Sequence, residues 1–144
     1  MITRTAEAQW NGGLKDGKGT VKLGSGAFEG QYSFSTRFEN GTGTNPEELI
    51  GAAHAGCFSM AFSAGLGQSG FSPKSIKTTA KVHFDKVGEG FEITSIDLDT
   101  EADIPGIDQK TFMEHAEAAK AGCPVSKALA GPKITLQARL LQEA

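Results

Sequence analysis

Asn45-Pro46-Glu47-Glu48-Leu49-Ile50-Gly51-Ala52-Ala53-His54-Ala55-Gly56-Cys57-Phe58-Ser59-Met60 is the stretch from which the fold is read. Asn45 suits a helix N-cap, Pro46 carries the fixed φ of a first helical position, and Glu48 stands three residues after the cap. From Leu49 to about Leu66 the chain is rich in Ala, Gly, Leu, Phe and Met and contains no Asp, Glu, Lys or Arg. A helix that is apolar on nearly every face is expected to be buried on nearly every face. Roughly 20 residues of helix are about 30 Å long, more than one small chain readily surrounds. A partner chain would supply the missing cover.

Before this helix the pattern is of short strands punctuated by glycine. Thr3 to Trp10, Gly19 to Leu23 and one or two segments within Phe28 to Phe38 fit strands, with Gly24-Ser25-Gly26 as a turn. After it, Gly70 and Pro73 act as stops. Ile76, Thr78, Ala80, Val82 and Phe84 then alternate with Lys77, Thr79, Lys81, His83 and Asp85, the mark of a half-buried strand. A turn at Gly88-Glu89-Gly90 leads to Phe91 and Ile93, then Ile96 and Leu98, and the change of phase predicts a bulge near Thr94-Ser95. Asp108 caps a second helix reaching about Ala121, with Gly122 as its stop. Cys123-Pro124 opens a short third helix ending near Gly131, and Ile134, Leu136, Ala138 and Leu140 form a closing strand. Strands and helices segregated in this way make an α+β fold.

The length of 144 residues fits one domain, 1–144, and 38% hydrophobic residues suffice for a core. No stretch is polar enough to read as disordered. The net charge is −3 and Lys and Arg are scattered singly, which excludes a basic footprint for nucleic acid or an anionic membrane. Met1 to Glu7 lacks the apolar run of a signal peptide. No segment is expected to approach the roughly 18 apolar residues of a membrane span. The cytoplasm is therefore the expected compartment, where two cysteines are not expected to form a permanent staple and any pairing between them would be transient and chemical.

Cys123 precedes Pro124 at or near a helix start, where unpaired N–H groups and the positive end of the helix dipole favour a thiolate. The plainer reading is a small neutral filler at a helix corner. Cys57 sits mid-helix, gains little from the dipole, and needs a side-chain cation to ionise; it too has a plain reading as core. These residues alone leave open which cysteine attacks. Arg37 precedes Phe38 in an alternating segment and so is placed at the end of a strand. Its donor fork suits a thiolate or a peroxide oxygen, and Glu47 can hold it by a bidentate pair. The plain alternatives are a surface Arg and a helix-dipole Glu. His54, Cys57, His115 and Cys123 lack the usual spacing of metal ligands, and His115 is expected on the exposed side of its helix. A Cys57–His54 hydrolase lacks an orienting acid. His83 lies on the polar face of its strand and is expected to be solvated.

Three segments carry a resemblance: Thr36-Arg37-Phe38, the run from Gly43 to Met60, and Lys120-Ala121-Gly122-Cys123-Pro124-Val125-Ser126. Together they closely resemble the OsmC/Ohr family of cysteine-based peroxidases, nearest to its osmotically inducible OsmC branch, over the length of the chain. The resemblance implies a thiol-dependent peroxidase of organic hydroperoxides and hydrogen peroxide. It further implies mixed and antiparallel sheets around a long buried central helix, an intertwined homodimer, and no metal, flavin or other cofactor. It makes Cys57 the peroxidatic cysteine, Cys123 the resolving one, and Arg37 and Glu47 the polar pair that activates Cys57. An external dithiol completes the cycle.

Glu47 and Cys57 are separated by about 15 Å of helical rise and cannot share a site on one straight helix. If equivalent helices cross antiparallel near Gly51-Ala52-Ala53, Glu47 of one chain falls beside Cys57 of the other. Each site is thus expected to be composite, with Glu47 within about 8 Å of one copy of Cys57. Cys123 must bring its Cα within about 7 Å of that of Cys57. Phe58, Met60 and Phe62 offer either an apolar wall for alkyl hydroperoxides or ordinary core packing. The rival readings are a dimer that binds an apolar ligand without turnover and a redox sensor.

Overall fold

The computed structural model describes residues 1–131, and the closing strand expected over Ile134 to Leu140 lies outside them. The element order is β1 (Ala6–Asn11), β2 (Lys18–Leu23), β3 (Glu29–Tyr32), α1 (Phe34–Phe38), α2 (Pro46–Gln68), β4 (Ser75–Val87), β5 (Gly90–Asp103), α3 (Gln109–Gly122) and α4 (Pro124–Leu129). The architecture is α+β, with an antiparallel three-stranded sheet β1-β2-β3 and a two-stranded sheet β4-β5. By internal contacts the chain divides into two compact units. One holds Met1–Ala55 and Thr79–Asp99; the other holds Gly56–Thr78 and, among the described residues, 100–131.

In the first unit, Gly19 faces Trp10 on one neighbouring strand and Tyr32 on the other. The two rings lie 5.3 Å apart. A Cβ at Gly19 would meet both of them at 2.5–2.6 Å, so the close approach requires glycine. The chain then departs from the sequence expectation. Phe34–Phe38 is a helix, and Arg37 stands in its last turn rather than at a strand end. Ser33 decides this: its hydroxyl accepts the Thr36 N–H at 3.3 Å, and Thr36 Oγ1 accepts the Ser33 N–H at 2.8 Å. Phe34, Thr36 and Phe38 alternate with polar neighbours, but Phe34 and Phe38 are also i and i+4, and their rings meet at 4.8 Å.

Helix α2 starts where Asn45 and Pro46 predict. Asn45 Oδ1 accepts the Glu48 N–H at 2.7 Å, and its Nδ2 donates to the Thr36 carbonyl at 3.1 Å, tying the cap to α1. The Glu48 carboxylate accepts the Thr44 hydroxyl at 3.0 Å. Asn45→Ala removes both Asn45 contacts and is expected to cost about 1 kcal/mol, read as a lower urea midpoint at unchanged slope.

On β4 and β5, Gly88 takes φ +62 in the turn. Phe91 stacks on Phe84 with centroids 5.3 Å apart, while Asp97 pairs with His83 Nε2 at 2.8 Å. His83 and Phe84 are consecutive and so face opposite sides, yet Phe91 and Asp97 are an even number of residues apart. A one-residue change of phase therefore lies between them, where the sequence predicts the bulge. His83 is exposed as expected, and paired.

The second unit has its core on one side of α2. Phe58, Phe62 and Leu66 are buried with Ala119, Cys123 and Ile104. Phe62 meets Phe58 at 5.7 Å and Phe112 of α3 at 5.6 Å. A hydroxyl chain runs from Ser59 to Thr78 at 2.7 Å and on to Thr100 at 3.0 Å, joining α2, β4 and β5.

A single chain leaves part of α2 uncovered, as its length predicts, and one other expectation about it needs correction. Within one chain it is not covered on nearly every face: Ala52, Ala53, Gly56, Met60, Ala64 and Gly67 are exposed. Nor is it too short or too polar to span a bilayer; over its 23 residues an 18-residue window averages a hydropathy of 1.4, with 28% of the window buried. The reason is the uncharged run after Glu48, in which many small residues still average to apolar. The same length and composition also describe the core helix of a folded domain.

Candidate functional site

Cys123 sits at the joint between α3 and α4. Its N–H bonds the Ala119 carbonyl at 2.9 Å, closing α3, and its own carbonyl accepts the Lys127 N–H at 3.1 Å, opening α4. Pro124 explains the joint, because a residue before proline is driven out of the helical region. Cys123 accordingly takes φ −57 and ψ 125. Its side chain is completely buried. Cys57, half-buried on α2, lies within hydrogen-bonding reach of it, and both thiols are free. The second unit thus brings together the two sulfurs that the sequence proposed as partners.

The proton is shared unequally between them. Burial pushes the Cys57 thiol up, the hydrogen bond to Cys123 and its developing charge push it further, and the Val125 N–H only partly offsets this. Burial also pushes Cys123 up, but hydrogen bonds from Cys57, from the N–H and hydroxyl of Ser126 and from the Val125 N–H outweigh it, so its pKa falls below the ordinary thiol value. The two thiols titrate as one coupled pair, with Cys57 pushed up and Cys123 pushed down. Access points to the other sulfur: Cys57 is partly exposed and Cys123 is sealed. Cys123→Ala takes away the two upward pushes that Cys123 exerts on Cys57. The pH midpoint for alkylation of Cys57 is then expected to move down; a midpoint unmoved or raised contradicts this coupling.

The first unit builds the other candidate pair. Arg37 Nε donates to Glu47 Oε1 at 3.1 Å and Nη2 to Oε2 at 3.0 Å, a bidentate fork from the end of α1 to the first turn of α2. Glu47 is buried, with its side chain 10% exposed against 36% for Arg37. The guanidinium lies over two rings, 4.9 Å from Phe84 and 5.5 Å from Phe38. Glu47 occupies Nε and one edge of Nη2, and among the described residues Nη1 makes no hydrogen bond. Beside Arg37 lies a hollow of about 250 Å³ lined by Trp10, Leu14, Tyr32, Ser33, Phe34 and Phe38. The rings that hold Arg37 were not singled out from the sequence, where Phe84 reads only as an inward strand position.

The other candidates fall into structural roles. Phe58 and Phe62 belong to the core, and only Met60, 78% exposed, is free to wall a site. His115 is not on an exposed face; its Nδ1 donates to the Thr111 carbonyl at 2.9 Å and its Nε2 accepts from the Ser69 hydroxyl at 3.0 Å. Its ring stands edge-on to Phe71 at 6.2 Å. Burial lowers the pKa of His54 and keeps it neutral. Among the described residues, no group of three or more His, Cys, Asp or Glu side chains gathers as a metal ion would need.

A family described as OsmC-like protein matches residues 39–137, a span holding Glu47, Cys57 and Cys123 and beginning just after Arg37. Peroxiredoxin OsmC of Escherichia coli (strain K12) is 56% identical over 140 residues, covering 96% of this chain and 97% of that protein. Among solved structures, an organic hydroperoxide resistance protein from Elizabethkingia anophelis aligns with TM-score 0.68 at 26% identity, over 90% of this chain and 91% of that one. The organic hydroperoxide resistance protein OhrB of Bacillus subtilis aligns with TM-score 0.66 at 25% identity, over 88% and 91%.

Proposed function

This chain belongs to the OsmC-like protein family, and we propose that it is a thiol-dependent peroxidase of organic hydroperoxides and hydrogen peroxide. The observation that carries the reading is the hydrogen-bonded pair of free thiols, one reachable and one sealed. Cys57 is the peroxidatic cysteine. As it attacks, its proton passes to the Cys123 thiolate, and the Cys57 sulfur takes the outer peroxide oxygen as the O–O bond breaks. The departing alkoxide, or hydroxide from hydrogen peroxide, takes the proton from Cys123. Cys57 is left as a sulfenic acid and Cys123 is again a thiolate. The Cys123 thiolate then attacks the Cys57 sulfur, hydroxide leaves and takes a proton from solvent to become water, and a disulfide forms. An external dithiol reduces it by exchange.

Arg37 and Glu47 complete the site by stabilising charge. The Nη1 donors of Arg37 stabilise the charge that develops on the Cys57 sulfur and the peroxide oxygen as the proton leaves and the O–O bond breaks. Glu47 keeps the guanidinium plane fixed. Because about 15 Å of helical rise separates Glu47 from Cys57, the Arg37–Glu47 pair is supplied to each thiol pair by a partner chain. The exposed Ala52, Ala53, Gly56, Met60 and Ala64 of α2 favour such a homodimer, since small residues let helices approach closely. The hollow beside Arg37 favours an organic hydroperoxide with an apolar body. The setting is the cytoplasm, without nucleic acid or membrane as partner.

Steady-state peroxide consumption with several dithiols tests the reading. Catalytic turnover of cumene or tert-butyl hydroperoxide is expected with at least one of them. Binding without consumption, or oxidation that never recycles, would point instead to an apolar-ligand-binding or sensing dimer.

A further inference from the structure

We infer that Phe84 is a positioning residue for the peroxidase reaction, its ring face holding the Arg37 guanidinium in the plane that aims Nη1 at the reacting oxygen; this rests on the function proposed above. Glu47 fixes one edge of the guanidinium through Nε and Nη2, at 3.1 and 3.0 Å. A two-point edge contact still allows the group to rock about the line joining those points. The face contacts remove that freedom: the guanidinium carbon stands 4.9 Å from the Phe84 centroid and 5.5 Å from that of Phe38. Phe84 is itself braced. Phe91 stacks behind it at 5.3 Å and an interplanar angle of 21°, and Phe38 meets both Phe84 at 5.8 Å and Phe91 at 5.1 Å. Phe38 shares the five-residue helix of Arg37 and moves with it, whereas Phe84 belongs to β4 and gives the guanidinium an outside reference.

A ring face attracts a guanidinium through its quadrupole, and for a side chain 36% exposed such a contact is equivalent to roughly two- to fivefold in a rate constant. A packing residue needs only the shape of the ring. The two roles separate when the ring is fluorinated at nearly constant shape. The full-length protein is prepared with Phe84 as phenylalanine, monofluoro-, difluoro- and trifluorophenylalanine, together with Phe84→Trp and Phe84→Leu. Thermal midpoint and kcat/KM for cumene hydroperoxide are measured for each.

The expected result is a graded fall in kcat/KM along the fluorine series, reaching about fivefold at trifluorophenylalanine, carried mainly by kcat. Phe84→Trp retains activity, Phe84→Leu resembles the trifluoro protein, and the thermal midpoints of the fluorinated proteins stay together. A flat series, while Arg37→Lys still lowers activity, overturns the role of Phe84 and leaves the proposed function standing. Activity that falls only in step with thermal midpoint assigns Phe84 to packing and also overturns it. A parent protein with no peroxidase activity overturns both.

Discussion

Cys57→Ser is expected to lower steady-state peroxide reduction to less than about a thousandth of the parental rate, because the variant has no sulfur to accept the oxygen. Serine is close in size, and position 57 is half-buried beside Phe58 rather than within the tightest packing, so the fold persists. Cys123→Ser gives a different failure. The reachable sulfur remains, so one equivalent of peroxide is consumed and a sulfenic acid accumulates that dimedone traps on Cys57. The contrast is what the burial of the two thiols requires. Parental turnover in both variants would leave the chemistry elsewhere.

Arg37→Lys is expected to lower kcat/KM about 100-fold while leaving the chain folded. Losing one preorganised donor to developing negative charge commonly costs that much. Lysine keeps the charge opposite buried Glu47, but it cannot reproduce the pair of contacts at 3.1 and 3.0 Å or present a flat face to Phe84. Arg37→Ala is a poorer probe, because it leaves the Glu47 carboxylate buried without its partner and adds a stability loss to the kinetic one. Peroxide assays at matched protein concentration, with circular dichroism as the control on folding, distinguish the two effects. An Arg37→Lys protein as active as the parent would remove Arg37 from the reaction.

The parts legible from sequence were those governed by local chemistry. Asn45-Pro46 placed the start of α2, Asp108 the start of α3, and Cys123-Pro124 the joint where the sealed thiol sits. Burial lifts the Asp108 carboxyl slightly, but the Thr111 N–H and hydroxyl dominate and hold it below the ordinary carboxylate range. The cap therefore helps α3 above that range and is lost as pH falls through its lowered pKa. What misled was periodicity over a short window. Phe34, Thr36 and Phe38 satisfy a strand and one helical turn equally, and only the Ser33–Thr36 hydrogen bonds choose between them. The exposure of Ala52, Gly56 and Met60 was hidden for another reason: apolarity distributed around the whole of α2 does not say which face its own chain covers. Nor does spacing reveal that Phe84 meets Arg37, a contact between elements far apart in sequence.

The same limit applies to the division of labour between the sulfurs. The dipole reasoning favours a thiolate at Cys123, whose pKa is lowered despite burial first by the hydrogen bond from Cys57 and then by Ser126 and Val125. It is silent about access, which belongs to tertiary packing and leaves Cys57 as the thiol a peroxide reaches. The helix start thus serves ionisation, and the exposed flank of α2 serves entry.

Oxidation of the parent protein by one equivalent of cumene hydroperoxide, followed by thiol counting and peptide mapping without reductant, bears on all of this at once. Both thiols should vanish together, with the peptides of Cys57 and Cys123 joined, and a dithiol should restore both. A protein that keeps both thiols, or that carries its first oxidation on Cys123 with no link to Cys57, would contradict the account.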